Sequence, residues 1–210
     1  MKVSNLNELF LHELKDLYDA EHQLVETLPK LAEAANNPKL AEAFRNHLER
    51  TQEHVSRLEE VFAACGEEPE RKTCRGMKGL LEEAERLLKD DFEGAVLDAG
   101  LIGAAQRVEH YEIAAYGTLK VWAATGGFTD IMETLEATLE EEKTADDKLT
   151  EIAQMGVNLA AERGNRASGR SDTEADEEDE GEAEVASTKR TANRTRARTP
   201  ARRGTTKARR

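Results

Sequence analysis

Apolar residues recur every three or four positions along four long stretches of this chain, a spacing that suits helices and leaves little room for strands. From Leu6 to Leu31 the stripe runs through Leu14, Leu17, Tyr18, Leu24, Val25 and Leu28. Ser4 can cap its start, and Pro29 is expected to kink it or end its regular part, because proline removes a backbone donor. Asn36-Asn37-Pro38 reads as a turn, with Asn37 as N-cap and Pro38 at the first helical position. A second stripe passes through Leu40, Phe44, Leu48, Val55, Leu58 and Phe62 and stops at Gly66. After a polar connection, a shorter helix is expected from about Met77 to Lys89. A long helix then covers Ala95 to about Ala124, ending at Gly126-Gly127, and Thr129 caps the last one, about Asp130 to Met155, before Gly156. Two long hairpins joined by a crossover with its own short helix make an all-α four-helix bundle. Gly100 and Gly103 cost the third long helix roughly 1 kcal/mol each against Ala, a cost that close helix packing would justify.

The net charge of -13 conceals a split. Residues 1–162 hold 17 Lys/Arg and 34 Asp/Glu, whereas residues 163–210 hold 13 and 9. Within that second part an acidic block spans 172–184, and a basic arm spans 187–210 with ten Lys/Arg and no acid. Neither has the apolar content for a core, so the expectation is a bundle over 1–162 and a disordered tail over 163–210. No apolar run approaches the roughly 20 residues that cross a bilayer, and the first residues lack a signal-peptide pattern. A cytoplasmic protein without membrane contact is expected. Cys65 and Cys74 lack any Cys-x-x-Cys or Cys/His pattern and read as reduced, structural thiols.

Charged residues should face water, and a few here do not. At about 100° per residue, Glu21 falls inside the stripe of Leu14, Tyr18, Val25 and Leu28. On the fourth long helix, Glu142 and Asp146 sit between Leu135, Leu139 and Leu149; on the third, Glu109 and Glu112 share a face with Ala105 and Tyr116. On the second, His47, Thr51 and His54 lie beside Leu48, Val55 and Leu58, whereas Glu49 and Glu53 point away. The levels agree as well. Glu21 lies 15 residues before Asn36 and His54 lies 16 after Pro38, so antiparallel packing sets them opposite each other. Glu109 and Glu112 lie 17 and 14 residues before Gly126, and Glu142 and Asp146 lie 15 and 19 after Gly127.

A buried, unpaired carboxylate costs several kcal/mol, and a metal ion removes that cost. Carboxylates joined by one or two imidazoles form the donor set of a centre holding two iron or manganese ions. Glu21, His54, Glu109, Glu112, Glu142 and Asp146 are the ligand candidates, with Glu21 and Glu142 terminal and Glu109 or Glu112 bridging. His47, two turns nearer the hairpin loop than His54, reads as supporting or ordinary core; so does Thr51, and Tyr116 reads as core or a donor to a ligand. His12, His22 and His110 have no matching register and read as surface residues. In the tail, Lys189, Arg190, Arg194, Arg196, Arg198, Arg202 and Arg203 are candidate contacts to DNA phosphates; without aromatics among them, such binding would be non-specific and salt-sensitive.

Four stretches carry a family resemblance: L-F-L-H-E-L-K-D-L-Y-D-A-E-H-Q-L (9–24), H-L-E-R-T-Q-E-H-V (47–55), V-E-H-Y-E-I-A-A-Y-G-T-L (108–119) and L-E-E-E-K-T-A-D-D-K-L (139–149). They resemble the YciE/YciF family of ferritin-like proteins over about residues 4–156. The resemblance implies a rubrerythrin-related bundle, a dinuclear metal site, a homodimer and an association with bacterial stress. It carries over Glu21, Glu109, Glu112, Glu142 and Asp146 as ligands. The chain departs from the family in having Arg50 where an acid is common, and Thr51-x-x-His54 as its inward pair on the second helix.

Overall fold

In a computed structural model, which describes residues 3–168, the helices expected from the periodicity all form. They are α1 (Leu6–Ala34), α2 (Pro38–Ala64), α3 (Arg75–Leu87), α4 (Gly94–Thr125) and α5 (Thr129–Ile152), followed by a π-turn over Ala153–Val157 and α6 (Asn158–Ser168). No strand occurs among the described residues. The α1–α2 and α4–α5 hairpins pack side by side, α1 against α4 and α2 against α5, and α3 lies in the crossover against α4 and α1. This is a ferritin-like four-helix bundle with a short extra helix. Leu14, Leu24, Leu40, Phe62, Leu101, Leu119 and Leu135 fill its middle, each almost wholly buried. No described helix is long and apolar enough to cross a membrane.

The helix ends follow local chemistry. Asn37 accepts from the backbone N–H groups of Lys39 and Leu40, with Pro38 in the first turn. Gly66 and Gly127 take positive φ (73° and 78°), the left-handed region where a side chain is disfavoured. Asn5, rather than Ser4, caps α1; Ser4 instead donates from its N–H and hydroxyl to Glu8, whose own N–H donates to Asn5, closing a reciprocal box. Phe128, with no side-chain cap bond, takes the position before α5 that Thr129 was expected to hold. Pro29 neither ends nor splits α1. Its missing bond is outweighed by burial of Leu28, Leu31 and Ala32, which hold the last turn on the core.

Two further departures concern the C-terminal side. The fourth long helix was expected to stop before Gly156; instead the chain bends there, buries Val157 and continues as α6, which packs on α4. Residues 163–168, read from composition as the start of the tail, are helical. The remainder of the tail, with its acidic block (172–184) and basic arm (187–210), lies outside the described residues.

Close packing accounts for Gly100, where a Cβ would stand 3.3 Å from Leu87 Cδ1, but nothing approaches Gly103. One polar contact locks the two hairpins together. Asp98, near the start of α4, accepts from the backbone N–H of Asn36 (2.8 Å) and of Asn37 (2.9 Å), so both its oxygens bind the α1–α2 turn.

A buried carboxylate and histidine cluster

Halfway along the bundle, the stripes of α1, α2, α4 and α5 each turn a polar side chain into the core. Glu21, Thr51, His54, Glu112 and Glu142 have no exposed surface, Glu109 retains 2% and His47 8%. Donor atoms of His47, Glu109, Glu112 and Glu142 lie within 4.8 Å of one another, and so do those of Glu21, His54 and Glu142. Glu142 belongs to both groups. His47, read from sequence as only a supporting residue, is a full member of the first: its Nε2 is 3.3 Å from Glu109 Oε1 and 3.9 Å from Glu142 Oε2.

His54 is held from both sides. Its Nε2 lies 2.8 Å from Glu141 Oε2, and its Nδ1 lies 2.8 Å from Glu142 Oε1 and 3.7 Å from Glu21 Oε1. A carboxylate at Nε2 favours the tautomer with the proton there, leaving the Nδ1 lone pair aimed at the cluster. Arg57 grips Glu141 with two hydrogen bonds, at 2.7 and 3.0 Å. Burial pushes the Glu141 carboxyl up, but the bonds from Arg57 and His54 outweigh it and hold the group below its ordinary value. Tyr116 donates its phenol to Glu21 Oε1 and sets its ring edge-on to His54, 6.2 Å between centroids. Thr51 sits between His47 and His54, its hydroxyl spent on the His47 carbonyl at 2.8 Å.

Electrostatically the cluster is over-supplied with acid. Burial, reinforced by neighbouring carboxylates, pushes Glu109 and Glu112 well above the usual range. It also raises Glu21 to about 8, with Glu142 adding and His54 opposing. Glu142 goes the other way: burial pushes it up, but the contacts with His54 and His47 win and lower it. Burial alone would depress His54, yet Glu142, Glu21 and Glu141 raise it to about 9. His47 is lowered, chiefly by burial. Hydrogen bonding leaves much of the cluster unsatisfied. Glu21 Oε2, Glu109 Oε2, both oxygens of Glu112 and Glu142 Oε2 are buried with no hydrogen-bond partner, while His54 Nδ1 and Glu142 Oε1 have only each other and His47 Nε2 has only the carboxylates of Glu109 and Glu142 beside it. Buried polar atoms are nearly always paired, and this set converges on shared points. Carboxylate oxygens with imidazole nitrogens are the donors that divalent and trivalent first-row metals take, so the residues fit a metal centre.

Asp146 does not join the cluster. It is half-buried, accepts from Gln106 Nε2 at 3.0 Å and faces the exposed His110 at 3.4 Å. Its carboxylate is instead drawn onto the seam with α4 by these two α4 residues. His12 and His22 also lie outside both groups. Both cysteines are free; Cys74 is buried, caps α3 and lies 2.9 Å from the Tyr111 hydroxyl. Sequence reasoning missed Glu141 and Arg57. Their signal was present: Arg57 is one turn after His54 on the same helix, a cation in need of an acid beside an imidazole in need of an acceptor.

A family model described as a domain of unknown function, DUF892, matches residues 5–162. The chain belongs to this family. The YciF protein of Escherichia coli (strain K12) is 44% identical over 163 residues, covering 77% of this chain and 98% of that protein. The structure of the E. coli stress protein YciF matches with a TM-score of 0.72 at 43% identity, over 74% of this chain and 99% of that one. The resemblance drawn from the four sequence stretches is thereby established. A ferritin-like, diiron-carboxylate protein from Bacillus anthracis aligns over 71% of this DUF892 chain and 99% of its own, with a TM-score of 0.56. At 17% identity that likeness speaks to the fold alone.

Proposed function

We propose that this protein is a dinuclear metal-carboxylate protein of the stress response, holding two iron or manganese ions and consuming peroxide or oxygen. The observation that carries this reading is the set of buried carboxylate and imidazole donor atoms converging from four helices, with more acid than their mutual contacts and hydrogen bonds satisfy. His47, Glu109 and Glu112 would hold one ion, and Glu21 and His54 the other. Glu142, common to both groups, would bridge them, in place of the terminal role read from sequence. When bound, a pair of redox-active ions supplies the two electrons that break an O–O bond. The chain's own residues exclude water and fix the donors: Tyr116 orients Glu21, and Arg57 through Glu141 orients His54. The stress association is supported by the description of the E. coli relative, and the choice of metals by the hard oxygen donors. Elemental analysis of protein purified without chelators should find about two transition-metal ions per chain, as for the two-metal sites of this class; a metal-free product that also fails to bind iron or manganese on titration would refute the reading.

A second role is proposed for the basic arm, whose ten Lys/Arg face no acid in sequence. Lys189, Arg190, Arg194, Arg196, Arg198, Arg202 and Arg203 would contact DNA phosphates without sequence preference. Gel shifts of the full chain should weaken steeply with salt and vanish for a version ending at Glu162. Equal binding by both versions would exclude the arm.

A further inference from the structure

A cavity of about 740 Å³ opens between α2 and α5, and the buried His47 and Glu109 are among its lining residues. We propose that this groove is the substrate-binding site and that it takes a neutral organic hydroperoxide, ROOH with an apolar R group, in preference to hydrogen peroxide. The assignment rests on the dinuclear reading above. Size is the first argument. Hydrogen peroxide is little larger than water, which occupies about 30 Å³ in the liquid, whereas cavities of several hundred Å³ suit ligands with an organic body. Lining is the second. Phe44, Leu149 and Ile152 form apolar wall, while Lys39, Arg50 and Lys148 at the rim are balanced in number by Glu42, Asp147 and Glu151. A rim whose charges cancel selects neither cation nor anion. The buried polar lining is the third. His47 and Glu109 are more than nine-tenths buried, Glu109 Oε2 has no hydrogen-bond partner, and His47 Nε2 has only carboxylates of the cluster beside it. A hydroperoxide head entering there reaches the donor atoms that would hold the ions, while its R group occupies the apolar wall.

Breaking the O–O bond to give ROH and water would consume two protons, taken from water, and two electrons, which a pair of reduced ions held by the cluster would supply. ROH leaves by the groove it entered.

The full chain, loaded with iron(II) under nitrogen, is mixed in single turnover with cumene hydroperoxide or hydrogen peroxide. Separately, binding of the product alcohol 2-phenyl-2-propanol to metal-free protein is measured by saturation-transfer NMR. Cumene hydroperoxide is expected to react about tenfold faster or more, the scale on which apolar pockets discriminate, and the alcohol is expected to bind. Narrowing the groove with Ala145→Leu should reduce the rate ratio and alcohol binding together. Met155→Trp provides a second variant at an exposed lip, where folding is not at risk. Equal rates with no alcohol binding would overturn this inference and leave the metal reading standing. Bound alcohol with neither peroxide consumed would overturn the peroxide chemistry, and the hydroperoxide assignment with it.

Discussion

Replacing Glu112 by leucine should stabilise the metal-free protein and destabilise the metal-loaded one. Glu112 is wholly buried and neither carboxylate oxygen has a hydrogen-bond partner. An unsatisfied buried polar group costs about 1–3 kcal/mol, and an aliphatic side chain of similar length removes that cost. For a protein of this size, each kcal/mol moves Tm by about 2–4 °C, so the metal-free variant should melt about 2–12 °C above wild type. With metal the sign reverses. A metal present at about 1,000 times its Kd stabilises the wild type by about 4.1 kcal/mol, and a variant lacking one donor forfeits most of that, more than the roughly 1–3 kcal/mol it gained. The assay is a pair of circular-dichroism melts for each protein, one with chelator and one with manganese(II), which avoids air oxidation. A variant that melts lower in chelator, and gains as much from manganese as wild type does, would show that Glu112 contributes as an ordinary buried group and not as a ligand.

Glu141→Ala frees the His54 ring and strands Arg57, and should weaken metal binding about 10- to 100-fold, the usual cost of losing the partner of a ligating histidine; Asp146→Asn, outside the cluster, should leave metal affinity within a factor of about 2 by titration. Metal-free protein should lose stability between pH 6.5 and 9. Glu21, raised from 4.5 to about 8, keeps in the folded state a proton that the unfolded chain has released, and the contribution of His54, raised from 6.5 to about 9, is complete below 6.5 and lost through 9. His47, shifted down, acts only below that window. Melts in chelator at pH 6.5 and 9 check the sign; a flat or rising Tm would contradict it. Gly76→Ala would place a Cβ 2.8 Å from Tyr111 Cε2 and should cost about 1–3 kcal/mol, measured by urea unfolding.

The cluster was legible because an acid inside an apolar stripe breaks a simple rule. Glu21, Glu109, Glu112 and Glu142 each broke it, and the turns at Asn37 and Gly127 fixed their levels closely enough to bring them together. Asp146 broke the same rule and lies elsewhere, because Gln106 and His110 of α4 draw its carboxylate onto the seam, a contact that no helical projection shows. His47 was undervalued for a related reason: distance from the hairpin loop gauges height but not the reach of an imidazole toward Glu109. Glu141 and Arg57 obeyed the rule and so drew no notice, although the spacing of Arg57 from His54 hinted at a shared acid; the packing of α2 on α5 supplies that acid as Glu141. At the C-terminal side, Gly156 was a sound stop signal. The helix resumes because Val157 gains a buried position that no local pattern announces.

The grip of Asp98 on the α1–α2 turn bears on how the site could evolve. A helix that slid by one residue would swing its side chains about 100° and carry Glu109 and Glu112 away from Glu21 and His54. By pinning the head of one hairpin to the root of the other, a single aspartate sets the phase of the two halves. Insertions between Asp98 and Glu109 should therefore be far less tolerated than insertions in the 67–74 connection, even though neither stretch contains a donor atom of the cluster.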